Sequence, residues 1–344
     1  MATMADIAKR AGVALSTVSH TLSGKRPVST EVKQRVLQAI ADLEYEPHAL
    51  ARALATKRSR TVALLYPALS SNLPEPQSEF ISGILAVTSQ RKYGLLLWTT
   101  PDEEQEVLSM TQRGFIDGLI LMETRLEDPR VALLQKHDYP FTMIGRCKEN
   151  AGISFVDLDF DYALHTCVEY LAGLGHKHIA FLNHASYLFE RGTGYVVRAE
   201  EAFLHAIAQW ELEGIASPCE SDTQSGYEVV NSLLERDPLI TAIITSNAWI
   251  GGGIIRAIHD KNLHIPDDIS LVAIIPPRVA EMTNPTLTAI DFPFYEMGRM
   301  GADMLIRQLE GEEVATQLLL KPPLTIRQSS GPCMKSATTF QHRR

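Results

Sequence analysis

Residues 6–24 read DIAKRAGVALSTVSHTLSG, a run of helix-forming residues broken once, at Gly12. Thr3, with Asp6 three positions on, has the pattern of a capping box at the start of a first helix. Ile7, Ala8 and Ala11 form its apolar stripe, and Gly12 ends it. A second, shorter helix runs from about Leu15 to Leu22 and turns Val18 and Leu22 inward at i, i+4 spacing. Ser29 or Thr30 then caps a third, in which Val32, Val36, Leu37, Ile40 and Leu43 mark an apolar face. Two helices joined by a tight turn, with a third to close the core, predict a helix-turn-helix head.

The charge distribution separates this head from the rest. The 344-residue chain carries a formal net charge of -9. Residues 1–60 hold 10 Lys and Arg against 5 Asp and Glu, a net of +5, so the remainder, 22 against 36, has a net of -14. A basic head on an acidic body predicts that only the head meets a polyanion. The four cysteines (Cys147, Cys167, Cys219 and Cys333) are scattered, which argues against zinc and against a disulfide framework. No metal or cofactor is expected. With no apolar leader and no apolar run long enough to span a bilayer, the expected location is cytoplasmic.

Beyond the head, Glu46-Pro47 opens a short Ala-rich segment, HALARALATKRSR, that has too little apolar area to be a stable helix alone. From Thr61 the rhythm becomes strand–helix alternation. TVALLY, GLLLWTT, GLILME, FTMIG, HIAFLN, AIITSN and ISLVAII read as buried strands. Helical stretches at 79–92, 103–113, 161–174, 197–211, 226–235 and 250–262 lie between them. Nearly continuous apolar strands imply parallel sheets covered on both faces, and a zone of this length suits two such units better than one. The predicted fold class is an all-α helix-turn-helix DNA-binding head plus an α/β core of two parallel-sheet subdomains, with binding in the cleft at the carboxyl ends of the strands.

The order of these parts resembles the LacI family of transcriptional repressors, whose core is periplasmic binding protein-like. The opening stretch is similar to the family's D-[IV]-A-x-x-A-G-V-S-x-x-T-V-S-R-V-L-N-G. RPVSTEVKQRVLQAIADLEYEPHALARAL resembles its third helix and hinge. LAGLGHKHIAFL, LHIPDDISLVAI and NPTLTAIDFPFYEMGRMGADML are similar to three further signatures in the family's order. The resemblance covers about Met4 to Ser330. It implies a head at 1–46, a hinge helix and linker at 47–60, and an effector-binding and dimerisation core at 61–331. Within that core, 61–160 with 291–320 and 161–290 with 321–331 would form interleaved subdomains, leaving 332–344 as a flexible tail.

By that resemblance Leu15, Ser16 and His20 face base edges, with Thr17 and Ser19 placed for phosphates. Leu15 suits a thymine methyl, and His20 stands where the family most often has Arg. His20 is otherwise a solvated surface histidine. Lys25, Arg26 and Ser29 lie at the following loop, either on phosphate or simply in solvent. In the hinge, His48 replaces the usual Asn, Arg52 adds charge, and Leu54 matches a leucine that wedges into the minor groove. Two heads in a homodimer imply a roughly palindromic double-stranded operator.

The cleft departs from the family. Ala248 and Ile275 stand where two sugar-binding aspartates are usual, which argues against a plain monosaccharide held by paired carboxylates. Glu190 to Gly194 resembles a ligand loop of purine-sensing members. Arg191, Thr193 and Arg198 are therefore candidates, the arginines either clamping an anionic group or forming structural salt bridges. Asp159 matches the family's cleft aspartate; Asn247 and Trp249 complete the set, Trp249 either stacking on a ring or filling core. The expected effector is a sugar derivative, a nucleoside or purine, or another metabolite. A cleft that answers to a protein partner instead is the alternative left by the lost aspartates. No GxSxG, HExxH or GxxxxGK[ST] is present, so the chain is not expected to be an enzyme. A solute-binding protein would lack the head.

Overall fold

A computed structural model describes residues 2–23, 26–43, 58–67, 75–99, 104–313 and 316–334. The head comprises α1 (Met4–Ala11), α2 (Leu15–Ser23) and α3 (Thr30–Asp42). The Thr3 hydroxyl accepts the Asp6 amide while the Asp6 carboxylate accepts the Thr3 amide, completing the capping box. Gly12 leaves the helix with φ +66°, a conformation that glycine adopts without strain. Ser29 caps α3 by accepting the Val32 amide at 3.4 Å. Ile7, Ala8, Ala11, Val18, Val36 and Ala39 form the small core, and Arg10 ties α1 to Asp42 of α3 at 2.8 Å. One expectation is corrected. Leu37 is 49% exposed, and Ala39, 2% exposed, takes the inward position, because a small side chain there lets α3 close on α1.

The core contains two six-stranded sheets among the described residues. In the first, β1 (Thr61–Leu65), β2 (Gly94–Trp98), β3 (Gly118–Leu121), β4 (Phe141–Ile144), β5 (Phe155–Leu158) and β11 (Gln317–Leu320) run in the order β11-β5-β4-β3-β1-β2. In the second, β6 (His178–Leu182), β7 (Glu213–Ser217), β8 (Ala242–Thr245), β9 (Ser270–Ile275), β10 (Thr288–Asp291) and β12 (Leu324–Thr325) run β12-β10-β9-β8-β6-β7. Pairing is parallel throughout except between β10 and β12. Strands β3, β4, β5, β8 and β9 are buried along their whole length, as a sheet covered on both faces requires.

Helices α4 (Glu75–Gln90), α5 (Glu104–Gln112) and α6 (Pro129–Lys136) belong to the first unit. The second has α7 (Phe160–Gly173), α8 (Ser186–Glu190), α9 (Gly194–Gln209), α10 (Thr223–Arg236), α11 (Gly251–Asp260) and α12 (Pro277–Glu281). α13 (Phe294–Leu309) returns to the first sheet and packs on α4. That pair approaches backbone to backbone: a Cβ on Gly83 would strike the Tyr295 carbonyl, and one on Gly298 would strike that of Phe80. The chain crosses between the sheets after β5, β10 and β11. Strand order reverses beside β1 and β6, so the carboxyl ends of β1 with β3 and of β6 with β8 define a crevice.

Candidate functional site: a head helix and a cleft

On α2, Val18 is fully buried while Leu15, at 52% exposure, and Ser16 face outward. Thr17, Ser19 and His20 are half-buried along the same helix. The Thr21 hydroxyl donates to the Thr17 carbonyl, so it is occupied within the helix. The Ala14 carbonyl accepts the Thr17 and Val18 amides, which holds the start of α2 against the turn. Arg26 and Ser29 are exposed beyond its far end, and Ser29 already serves as the α3 cap. Lys25, His48, Arg52 and Leu54 lie outside the described residues. The head thus displays a short helix with an apolar residue and a hydroxyl outward and Val18 buried behind them, a geometry that suits entry into a major groove.

The cleft holds a cavity of about 110 Å³ at the carboxyl ends of both sheets. Tyr66 and Met122 follow β1 and β3, and Ile144 and Asp157 stand near the ends of β4 and β5. From the other side come His184 after β6, Ser246, Ala248 and Trp249 after β8, and Phe292 after β10. Aromatic rings line much of it. Phe80 stacks on Phe294 at 4.2 Å, Phe294 meets Phe292 edge-on at 4.5 Å, and Phe292 meets Phe160 edge-on at 6.2 Å. Opposite, Tyr195 stands perpendicular to His184 at 5.1 Å. Burial pushes the Tyr66 and Tyr195 hydroxyls far above their usual range, and the Glu123 charge adds to both shifts, so both stay protonated. Burial also lowers His184 to about 4 despite a backbone hydrogen bond to Ser246, leaving its imidazole neutral near pH 7. The Ser246 Oγ is buried and has no hydrogen-bond partner among the described residues.

Beside the cavity the two halves are joined by polar contacts. Arg198 of α9 reaches across the cleft: its Nη2 donates to Asp157 Oδ2 of β5 at 3.0 Å, and its Nη1 to the Arg146 carbonyl at 3.1 Å. Arg146 Nε lies 3.4 Å from the same carboxylate. Desolvation raises the Asp157 carboxyl above its usual range, and the two guanidiniums oppose that shift. Two backbone bonds of 2.8 Å reinforce the join, Gly194 N–H to the Thr124 carbonyl and Leu126 N–H to the Gly192 carbonyl. The loop carrying Thr124 is braced by Arg130, which is buried against Asp128 and donates to the Glu123 carbonyl at 3.2 Å.

These positions sort the residues expected from sequence. Trp249 lines the cavity, as does Ala248. Arg198 is closed on Asp157. Asp159 caps α7 by accepting the Tyr162 amide and pairs with Lys321 at 3.4 Å, outside the cavity lining. Asn247 is fully buried: its amide donates to the Ser221 hydroxyl at 3.2 Å, and its Oδ1 accepts the Trp249 amide, so it positions the tryptophan. Thr193 is buried in the position before α9, and Arg191 follows α8 beside Tyr195. Ile275 is buried in β9. The sequence reading missed Asp157, Tyr66, Glu123, His184 and the phenylalanine group. A lone aspartate inside the apolar run FVDL was the available signal, since an unpaired charge is not buried.

A helix-turn-helix head joined to a two-sheet core with an interdomain cleft defines a class, the DNA-binding transcriptional regulators with a periplasmic binding protein-like core. Residues 3–48 match the family model described as bacterial regulatory proteins, lacI family. Residues 168–330 match the periplasmic binding protein-like domain. The chain is 28% identical over 331 residues to catabolite control protein A of Priestia megaterium, covering 93% of this chain and 96% of that one. It is also 28% identical over 337 residues to the HTH-type transcriptional repressor PurR of Histophilus somni (strain 2336), covering 96% and 99%. In fold it is similar to the lac repressor dimer bound to operator and the anti-inducer ONPF, with TM-score 0.80, 21% identity, and coverage of 96% and 99%. The chain belongs to the LacI family of bacterial transcriptional regulators.

Proposed function

We propose that this regulator is a homodimeric repressor that binds a roughly palindromic operator and is switched by a small molecule in the interdomain cleft. The observation that carries the reading is the exposed Leu15–Ser16 face of α2 on a head that precedes a cleft-bearing core. Leu15, Ser16 and His20 read base edges, Thr17, Ser19, Lys25, Arg26 and Ser29 serve the phosphates, and His48, Arg52 and Leu54 act in the minor groove. The similar lac repressor structure is a dimer on operator DNA, and the similar PurR is a repressor, which supports both features here. No described helix is long and apolar enough to cross a membrane. Ligand-linked movement of the two subdomains alters how the dimer presents its hinges, a coupling of about 1–3 kcal/mol in typical cases.

Selection of bound sequences from a random DNA pool with the full-length chain tests the reading. A two-fold symmetric motif is the expected outcome, and a motif without symmetry refutes the dimeric operator. On the selected site Leu54→Ala should weaken specific binding far more than non-specific binding; equal losses remove the wedge role.

A further inference from the structure

The chemistry of the cavity narrows what it accepts. Its size sets the first limit. At about 110 Å³ it is near the scale of an apolar protein cavity, about 150 Å³, that accepts a benzene ring. Charge sets the second. Both Nη atoms of Arg198 are engaged, one on Asp157 and one on the Arg146 carbonyl, so this arginine offers an anion no free fork. The Asp157 carboxylate is covered by the same two arginines and is withdrawn from sugar hydroxyls. Ala248 adds a methyl to the wall, and His184 faces the cavity as a neutral ring. A sugar would have to bury several hydroxyls here against few acceptors, which is costly. Phe80, Phe294, Tyr195 and Trp249 instead present ring faces and edges, the surfaces on which an aromatic solute packs. Glu123 also lines the cavity but is already partnered, and among the described residues the Ser246 Oγ is the buried lining side-chain atom that still asks for a polar partner.

We propose that the cleft takes an uncharged single-ring aromatic molecule bearing one hydroxyl, its ring among Trp249, Tyr195 and Phe294 and its hydroxyl toward Ser246. This deepens the effector-regulated reading above and rests on it. The test uses the full-length protein with phenol and benzyl alcohol as probes, toluene as the ring without a hydroxyl, and benzoate, benzylamine and glucose as contrasts. Melting temperature and fluorescence anisotropy of the selected operator are read together. Phenol and benzyl alcohol should raise the melting temperature saturably and shift operator affinity, toluene should act more weakly, and the charged probes and glucose should do neither. Trp249→Ala should weaken phenol by about tenfold or more. Ser246→Ala should remove the preference for phenol over toluene, and Ala248→Leu should fill the space and abolish the response, with circular dichroism checking that each variant is folded. Binding of glucose, benzoate or benzylamine without the neutral rings overturns the proposed chemistry but leaves effector control standing. Silence of every probe in both readouts overturns the proposal, and continued operator switching by an extract of small metabolites would show that effector control survives it. A cleft unresponsive to such an extract as well would remove both.

Discussion

The two ends of the interdomain cleft solve opposite problems. At one end, Arg198, Asp157 and Arg146 join the halves through charges largely withdrawn from water, helped by backbone bonds in which Gly192 accepts and Gly194 donates. Beside it, aromatic rings from both halves surround a space with little polar function. Asp157 belongs to both, lining the cavity with its carboxylate committed to the bridge. The contrast teaches that an arginine in a cleft need not be a ligand anchor. Here its carboxylate partner comes from the same chain, and the cavity wall beside the bridge is mostly aromatic and aliphatic.

The contrast is most exposed to a change at Asp157. Asp157→Ala leaves the buried Arg198 guanidinium and the half-buried Arg146 without their counter-charge and should cost about 3–5 kcal/mol of stability, measured by urea unfolding. Replacing both partners, Asp157→Leu with Arg198→Met, should recover much of that loss. A double variant as unstable as the single one would show that packing, not charge, holds this end.

The aromatic end predicts a pH dependence of defined sign. His184 titrates near 6.5 when unfolded and near 4 in the native protein. Above about pH 6.5 neither state binds the proton, and stability is unaffected. As pH falls from there toward 4, the unfolded chain takes up a proton the native state refuses, so stability declines by up to about 1.4 kcal/mol per pH unit. Burial shifts His176 in the same direction and adds to the slope. Urea midpoints across this window should fall with acidity, and His184→Phe, which keeps a ring against Tyr195, should flatten the curve. An unchanged slope in that variant would mean His184 does not sense the cavity's dryness.

Smaller effects sharpen the picture. Ser29→Ala removes the α3 cap and should cost the head about 1 kcal/mol while leaving phenol binding untouched. Ser246→Ala should raise stability slightly, by about 1 kcal/mol or less, because a buried hydroxyl without a partner is removed. A loss there would reveal a partner for that oxygen and erase the difference between the two ends.

The head was legible because its instructions are local. The Thr3–Asp6 pair, Gly12 and the Ser29 cap act within a few residues of the helices they bound. Leu37, apolar in type, lies outside the buried stripe of α3, because the close approach of α1 and α3 favours the small Ala39 there. The core's alternation was equally plain where strands are long and apolar. It faded at β5, β7, β10, β11 and β12, which are short, carry polar residues, or sit at a sheet edge, and none was expected. The cavity was the least legible part. Tyr66, Phe160 and Phe294 look like ordinary core in sequence, and only the return of α13 to the first sheet brings Phe294 into the wall. Arg198 stands out in sequence as either an anion clamp or a structural salt bridge, but its partner Asp157 lies 41 positions away, and no spacing rule joins them.

The placement of β11 and β12 has a consequence for how the protein is made. β11 adds to β5 in one sheet and β12 to β10 in the other, so a few residues near the end of the chain finish both halves. A ribosome that has exposed only the first 300 residues therefore holds a nascent chain in which strands from both sheets still present open edges. Neither sheet gains its last strand until Gln317–Thr325 is available, and a stop codon shortly before Gln317 should leave an open edge on each of them.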